Sequence, residues 1–182
     1  MQNILKLKGF TPKIAESCFV AENATIIGEV EIGNNCSIWY NAIIRGDVGA
    51  IRIGDDCNVQ DGALLHATYG VSECVLGKRV SIGHNAIIHG AIIKDDVLVG
   101  MGAIIMDNTT INSRTIIAAG TVVLANQNLE GGYMYAGNPA RQVKKIEESK
   151  AGKYIDLTPT AYQKYVEWYK KEGYGQDLTG LE

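Results

Sequence analysis

Long apolar runs are missing from this chain. No stretch approaches the roughly 20 residues of a membrane-spanning helix, and the opening MQNILKLKGF lacks the apolar core of a signal peptide. A Lys/Arg stripe is also missing: 17 basic residues face 20 acidic ones, for a net charge of −3. Nucleic acid and anionic membranes are therefore poor candidate partners. Cysteine is limited to 4 residues. Cys18, Cys36 and Cys57 occupy a recurring small position and read as buried packing residues, whereas Cys74 falls in an interruption and could lie at the surface. That usage fits a reducing, cytoplasmic setting. Gly100-Met101-Gly102 lacks the third glycine of a dinucleotide loop. Histidine is confined to 3 positions, His66, His84 and His89.

What is present is a rhythm. Aliphatic residues recur six apart at Ile14, Val20, Ile26, Ile32, Ile38 and Ile44, then at Ile53, Val59 and Leu65, then at Leu76, Ile82 and Ile88. They resume at Ile93, Val99, Ile105, Ile111, Ile117 and Val123. A period of six matches neither an isolated helix nor a simple strand; it describes a repeating coil. Each unit buries one aliphatic and one small side chain, and three six-residue edges per turn make a triangular prism. With 46% apolar and 20% charged residues the chain is globular in composition. Turn-forming pairs such as Gly33-Asn34, Gly54-Asp55 and Gly83-His84 mark the corners.

The pattern divides the chain into a lead-in (1–13), a coil domain (14–146) and a helical extension (147–182). The ladder itself ends near Gln127-Asn128. Thr158 as N-cap and Pro159 at the first helical position predict a helix ending at Gly173, with Tyr162, Tyr165, Val166 and Tyr169 on one apolar face. That face is expected to pack on the prism, or on a neighbouring subunit. The ladder slips three times: extra residues between Ile44 and Ile53 and between Leu65 and Leu76, expected as surface loops, and a missing residue between Ile88 and Ile93.

If these slips leave the edge count intact, Arg45, His66 and His89 share one edge in successive layers about 4.8 Å apart. His84 falls one corner back, with Asp61 in the equivalent place a layer below. Two imidazoles one layer apart can share a metal ion, and His84 would have to come from another copy of the chain. Three neutral nitrogens with no fourth protein ligand describe an open zinc site; Fe(II) or Co(II) suits the same donors.

Arg45-Gly46-Asp47, Asn58-to-His66 (NVQDGALLH) and Gly83-to-Gly90 (GHNAIIHG) together resemble the gamma-class carbonic anhydrases and their close homologues. The resemblance implies a mainly β fold, a left-handed parallel β-helix of hexapeptide repeats with a C-terminal α-helix, assembled as a homotrimer. It implies metal ligands at His66 and His89 from one subunit and His84 from its neighbour. Gln60 would hydrogen-bond the metal-bound solvent, Arg45 and Asp47 would pair across the subunit boundary, and Asn58 and Asp61 would be further site positions. The implied reaction is reversible hydration of CO2 to bicarbonate by a metal-bound hydroxide. The acidic loop of highly active members is replaced by Ala67-Thr68-Tyr69-Gly70, with Glu73 the only nearby acid, so no proton shuttle is evident. Two other readings stand beside this one. The Gly137-to-Arg141 exit also resembles hexapeptide acyltransferases, and a metal-bound trimer could serve as a non-catalytic assembly subunit.

Overall fold

The six-residue step is realised as short parallel strands joined by tight corners. In the computed structural model, residues 3–147 and 149–181 are described, and they form about seven turns of a β-solenoid. Successive strands of the first wall include Ile4–Leu5, Leu64–His66, Ile87–His89, Ile104–Ile105 and Val122–Val123. The second wall includes Lys13–Ile14, Cys74–Leu76, Ile92–Ile93, Thr110–Ile111 and Asn128–Leu129. The third runs from Phe19–Val20 through Ser37–Ile38, Asn58–Val59, Ser81–Ile82, Leu98–Val99 and Ile116–Ile117 to Tyr133–Ala136. Arg141–Lys145 then pairs antiparallel to that last strand. The rungs point inward: Ile26, Ile44, Leu65, Ile88 and Ile105 are fully buried.

The rhythm runs further than the aliphatic template suggested. Ile4 forms a rung within the lead-in, and Leu129 and Tyr135 continue the six-residue step beyond Val123. Tyr135 fills a rung with an aromatic ring whose hydroxyl escapes to the Glu130 carbonyl at 3.1 Å. Cys74, expected near the surface, is wholly buried, and desolvation pushes its thiol up to about 12. Cys18, Cys36 and Cys57 are buried as read, and each thiol donates to the carbonyl of Gly33, Gly54 or Gly77 at 3.0 Å.

The first slip is not a loop. Strand Ile43–Ile53 continues around its corner, pairing Gly46 with Gly28 and Ile51 with Val30, so the extra residues bulge within the strand. The second slip is a true loop, 67–73. The third is a shortened corner at Gly90-Ala91 between strands Ile87–His89 and Ile92–Ile93.

The helix, α1 (Lys153–Lys171), begins a turn and a half before Thr158, and Pro159 lies inside it. A short 3-10 turn at Lys150–Gly152, capped by the Ser149 hydroxyl, leads in. The proline and threonine signal is overridden because Ile155 is buried against Ile116 and Ile146. Asp156 also pairs with Arg114 at 3.0 Å. Tyr162, Val166 and Tyr169 pack on the prism as expected; the Tyr169 ring lies 5.8 Å from Phe19 and 5.2 Å from Trp39. Tyr165 instead faces solvent. After Gly173 the chain turns over the first coil. There Gln176 donates to the Val20, Ala21 and Ala24 carbonyls, and Ile14 donates to Leu181.

Candidate metal centre

Register decides which side chains meet. His89 pairs with His66 in adjacent strands of the first wall, and Ile44 pairs with Leu65, which sets Arg45 beside His66. His66 Nδ1 faces His89 Nε2 at 3.2 Å. On the far side of each ring stands a carboxylate: Asp47 at 3.1 Å from His66 Nε2, and Asp107 at 3.0 Å from His89 Nδ1. A carboxylate accepts the ring N–H, so it selects the tautomer whose other nitrogen carries a lone pair. In those tautomers the two lone pairs face one another, an arrangement that a cation between them would stabilise. Two nitrogens bound to one tetrahedral ion at 2.0–2.1 Å lie roughly 3.3 Å apart. The donor pair fits such an ion.

The electrostatics favour a metal over a proton. Burial lowers the pKa of His66 below its usual 6.5; the Asp47 hydrogen bond opposes this, and the charge of Arg45 reinforces it. Burial alone would raise Asp47, but hydrogen bonds from Arg45 and His66 hold it below the ordinary carboxylate value. Within one chain, Arg45 and Asp47, two residues apart, form a salt bridge.

The remaining candidates form a second group on another edge. His84 follows its rung by two residues, and its Nδ1 lies 2.9 Å from Asp61 one layer below, with Nε2 on the side of Tyr162 in α1. Gln60 and Asn58 lie on the third wall beneath α1. There Gln60 Nε2 donates to Asn58 Oδ1 at 3.0 Å, and Asn58 donates to Ser81 at 2.7 Å. A single chain thus brings together Arg45, Asp47, His66 and His89, and separately His84 with Asp61. Among the described residues no set of three or more His, Cys, Asp or Glu side chains converges as a metal site within one chain.

Three neighbours of these groups had no site role in the sequence analysis. Asp107 and Ser72 back His89, with Ser72 Oγ donating to Asp107 at 2.5 Å. Tyr162 Oη lies 3.4 Å from His84 Nε2. A signal for Asp107 existed: it follows Ile105 by two, so it stacks over Gly90, the residue after His89.

Comparison with known proteins bears on the family and the fold. The family model described as "Bacterial transferase hexapeptide (six repeats)" matches residues 11–46 and 90–125. A protein of Geobacillus kaustophilus named "Carbonic anhydrase" is 39% identical over 145 residues, covering 80% of this chain and 79% of that one. "Gamma carbonic anhydrase 2, mitochondrial" of Arabidopsis thaliana is 39% identical over 159 residues, covering 81% of this chain but only 57% of its own length. The structure of a "hexapeptide transferase family protein" from Anaplasma phagocytophilum superposes with a TM-score of 0.87 at 32% identity, covering 93% and 99% of the two chains. The fold and the paired imidazole edge define a hexapeptide-repeat protein built as a left-handed β-helix. The chain belongs to the gamma-carbonic-anhydrase-like family within that superfamily.

Proposed function

We propose that the protein is a zinc-dependent carbonic anhydrase that hydrates CO2 reversibly to bicarbonate at sites shared between the subunits of a homotrimer. The observation that carries this reading is the pair of carboxylate-backed imidazoles with facing lone pairs, His66 and His89. His84, backed by Asp61 on another edge, would supply the third nitrogen from a neighbouring copy. Between these two edges the first wall presents Ile43, Leu64, Ile87, Ile104 and Val122 outward and only partly covered. Such an apolar stripe supports burial between copies. Bound there, zinc, or Fe(II) or Co(II), supplies Lewis acidity that brings the pKa of water from 15.7 to about 7.

The chain's own residues do the positioning. Asp47, Asp107 and Asp61 hold the three rings in one tautomer each. Asn58, fixed by Ser81, holds the Gln60 amide and leaves its carbonyl oxygen and second N–H to orient the reacting molecule. Arg45 keeps Asp47 ionised. Asp47 and Asp107 are both held below the usual carboxylate range, so neither carries protons well near neutral pH. Turnover should consequently be limited by proton export, and added imidazole buffer should raise it. The four unpaired thiols support a reducing, cytoplasmic setting.

Metal analysis of anaerobically purified protein alongside stopped-flow CO2 hydration tests the proposal. About one ion per chain with imidazole-stimulated hydration is expected. Metal without hydration would favour the non-catalytic assembly subunit, a reading that rests on the missing proton carrier. Acyl transfer without any metal requirement would favour the transferase reading, which the hexapeptide family match keeps in view. Mixing His84→Ala with His89→Ala chains should restore part of the metal lost in each alone; no recovery would argue against shared sites.

A further inference from the structure

Two irregularities of the ladder fit into one another beside His89. The corner after His89 is shortened, and Gly90 occupies it at φ +63°. A side chain at position 90 would collide with Ser72 Oγ and Asp107 Oδ1. The layer below carries the inserted loop 67–73, and that loop sends Ser72 into the vacated corner. Its hydroxyl oxygen accepts the Thr68 N–H at 3.0 Å, which leaves its proton to be donated to Asp107 at 2.5 Å. The other Asp107 oxygen faces His89 Nδ1 at 3.0 Å. The Ser72 and Val71 amides return to the Thr68 carbonyl at 3.2 and 3.1 Å, so the loop closes on itself around this contact.

We propose that Asp107, held by Ser72, is the positioning residue for His89, and that loop 67–73 and the metal centre form one coupled unit. This rests on the metal-binding reading above. Asp107 accepts the Nδ1 proton and so keeps the Nε2 lone pair facing His66. Without it the imidazole can exchange tautomers or turn over, and the ligand is present only part of the time. Ser72 fixes the carboxylate by occupying its second oxygen. An ion on Nε2 makes Nδ1–H a stronger donor, which tightens the bond to Asp107 and through it the hold on Ser72. Linkage then requires the reverse: an ordered loop strengthens ion binding.

The test uses the full-length chain with zinc as the probe, with affinity read by competition against a chromophoric chelator. Ser72→Ala should weaken zinc binding about 10-fold, and Asp107→Asn by about 10- to 100-fold, the span of such outer contacts. Tyr69→Phe, at the exposed loop tip, should bind as wild type. In wild type, zinc should slow hydrogen exchange across 67–73; in Ser72→Ala it should not. Nitrogen NMR of the zinc-free wild type should find His89 protonated at Nδ1 alone, and Asp107→Asn should mix the tautomers. Should Asp107→Asn fail to fold, Ser72→Ala and the loop exchange decide. Wild-type zinc affinity in both Ser72→Ala and Asp107→Asn, with binding lost in His89→Ala, overturns the coupling and leaves the metal centre standing. Wild-type affinity in His89→Ala overturns both.

Discussion

A single rung carries more consequence in a solenoid than its size suggests, because it fills the whole width of its layer. Ile117 is fully buried with rungs above and below it. Ile117→Ala should cost about 2–5 kcal/mol in urea unfolding, since the stacked layers cannot close over the missing methyls. These rungs were legible because the six-residue spacing of Ile, Leu and Val admits one interpretation. Tyr135 escaped because an aromatic in a rung breaks an aliphatic template although it obeys the spacing, and Leu129, which obeys both, went with it as the last aliphatic rung before that break. His66, His84 and His89 were legible by scarcity and register. Asp107 was legible only through the layer pairing, since carboxylates at corners are common here and nothing else singles this one out. Corner conformation was legible only loosely: the left-handed residue is Asn35, Asp56 or Asn85, one position later than the turn-forming pairs implied.

At the scale of elements, α1 and its lead-in show packing prevailing over local propensity. Proline inside a helix removes one backbone hydrogen bond and disfavours the interior by about 3 kcal/mol relative to alanine. The first turns form nonetheless, because Ile155 is almost wholly buried while Asp156 engages the Arg79 and Arg114 corners at 3.7 and 3.0 Å. These two anchors should differ in weight. Ile155→Ala should destabilise by about 2–5 kcal/mol, whereas Asp156→Ala, with half of its side chain in water, should cost below about 1 kcal/mol. Thermal melts of the two variants decide between an apolar and an ionic anchor; an equal loss would contradict this ordering. No sequence pattern announced Ile155, because its partner Ile116 is distant along the chain and meets it only through the coil.

Considered whole, the molecule is a prism whose first coil is covered by its own last residues. The terminal coil of a solenoid exposes rung ends and unpaired carbonyls, and both need covering. Here Leu178 covers apolar surface and Gln176 satisfies three carbonyls. Glu22 joins this closure by accepting the Gly175 N–H at 2.8 Å, which lowers its pKa from the ordinary 4.5. A carboxyl lowered by folding contributes fully above about 4.5, and its contribution disappears as pH falls through the lowered value. Protection of the Gly175 amide, its exchange rate taken relative to the free-peptide rate at the same pH, should therefore fall on acidification below that point, and Glu22→Gln should flatten the response. Protection that does not change with acid in the wild type would remove Glu22 from the closure. No described helix is long and apolar enough to cross a membrane.

The strap made by α1 also fixes how many coils the protein can have. Its 19 residues span about 28 Å, close to the roughly 29 Å of six layer spacings. Duplicating one coil would lengthen the stack by about 4.8 Å, some three helical residues, and leave Gln176 a full layer short of Val20. Growth of the prism by whole repeats, otherwise the easiest way for such a chain to change, is thus tied to growth of an element that shares none of its periodicity.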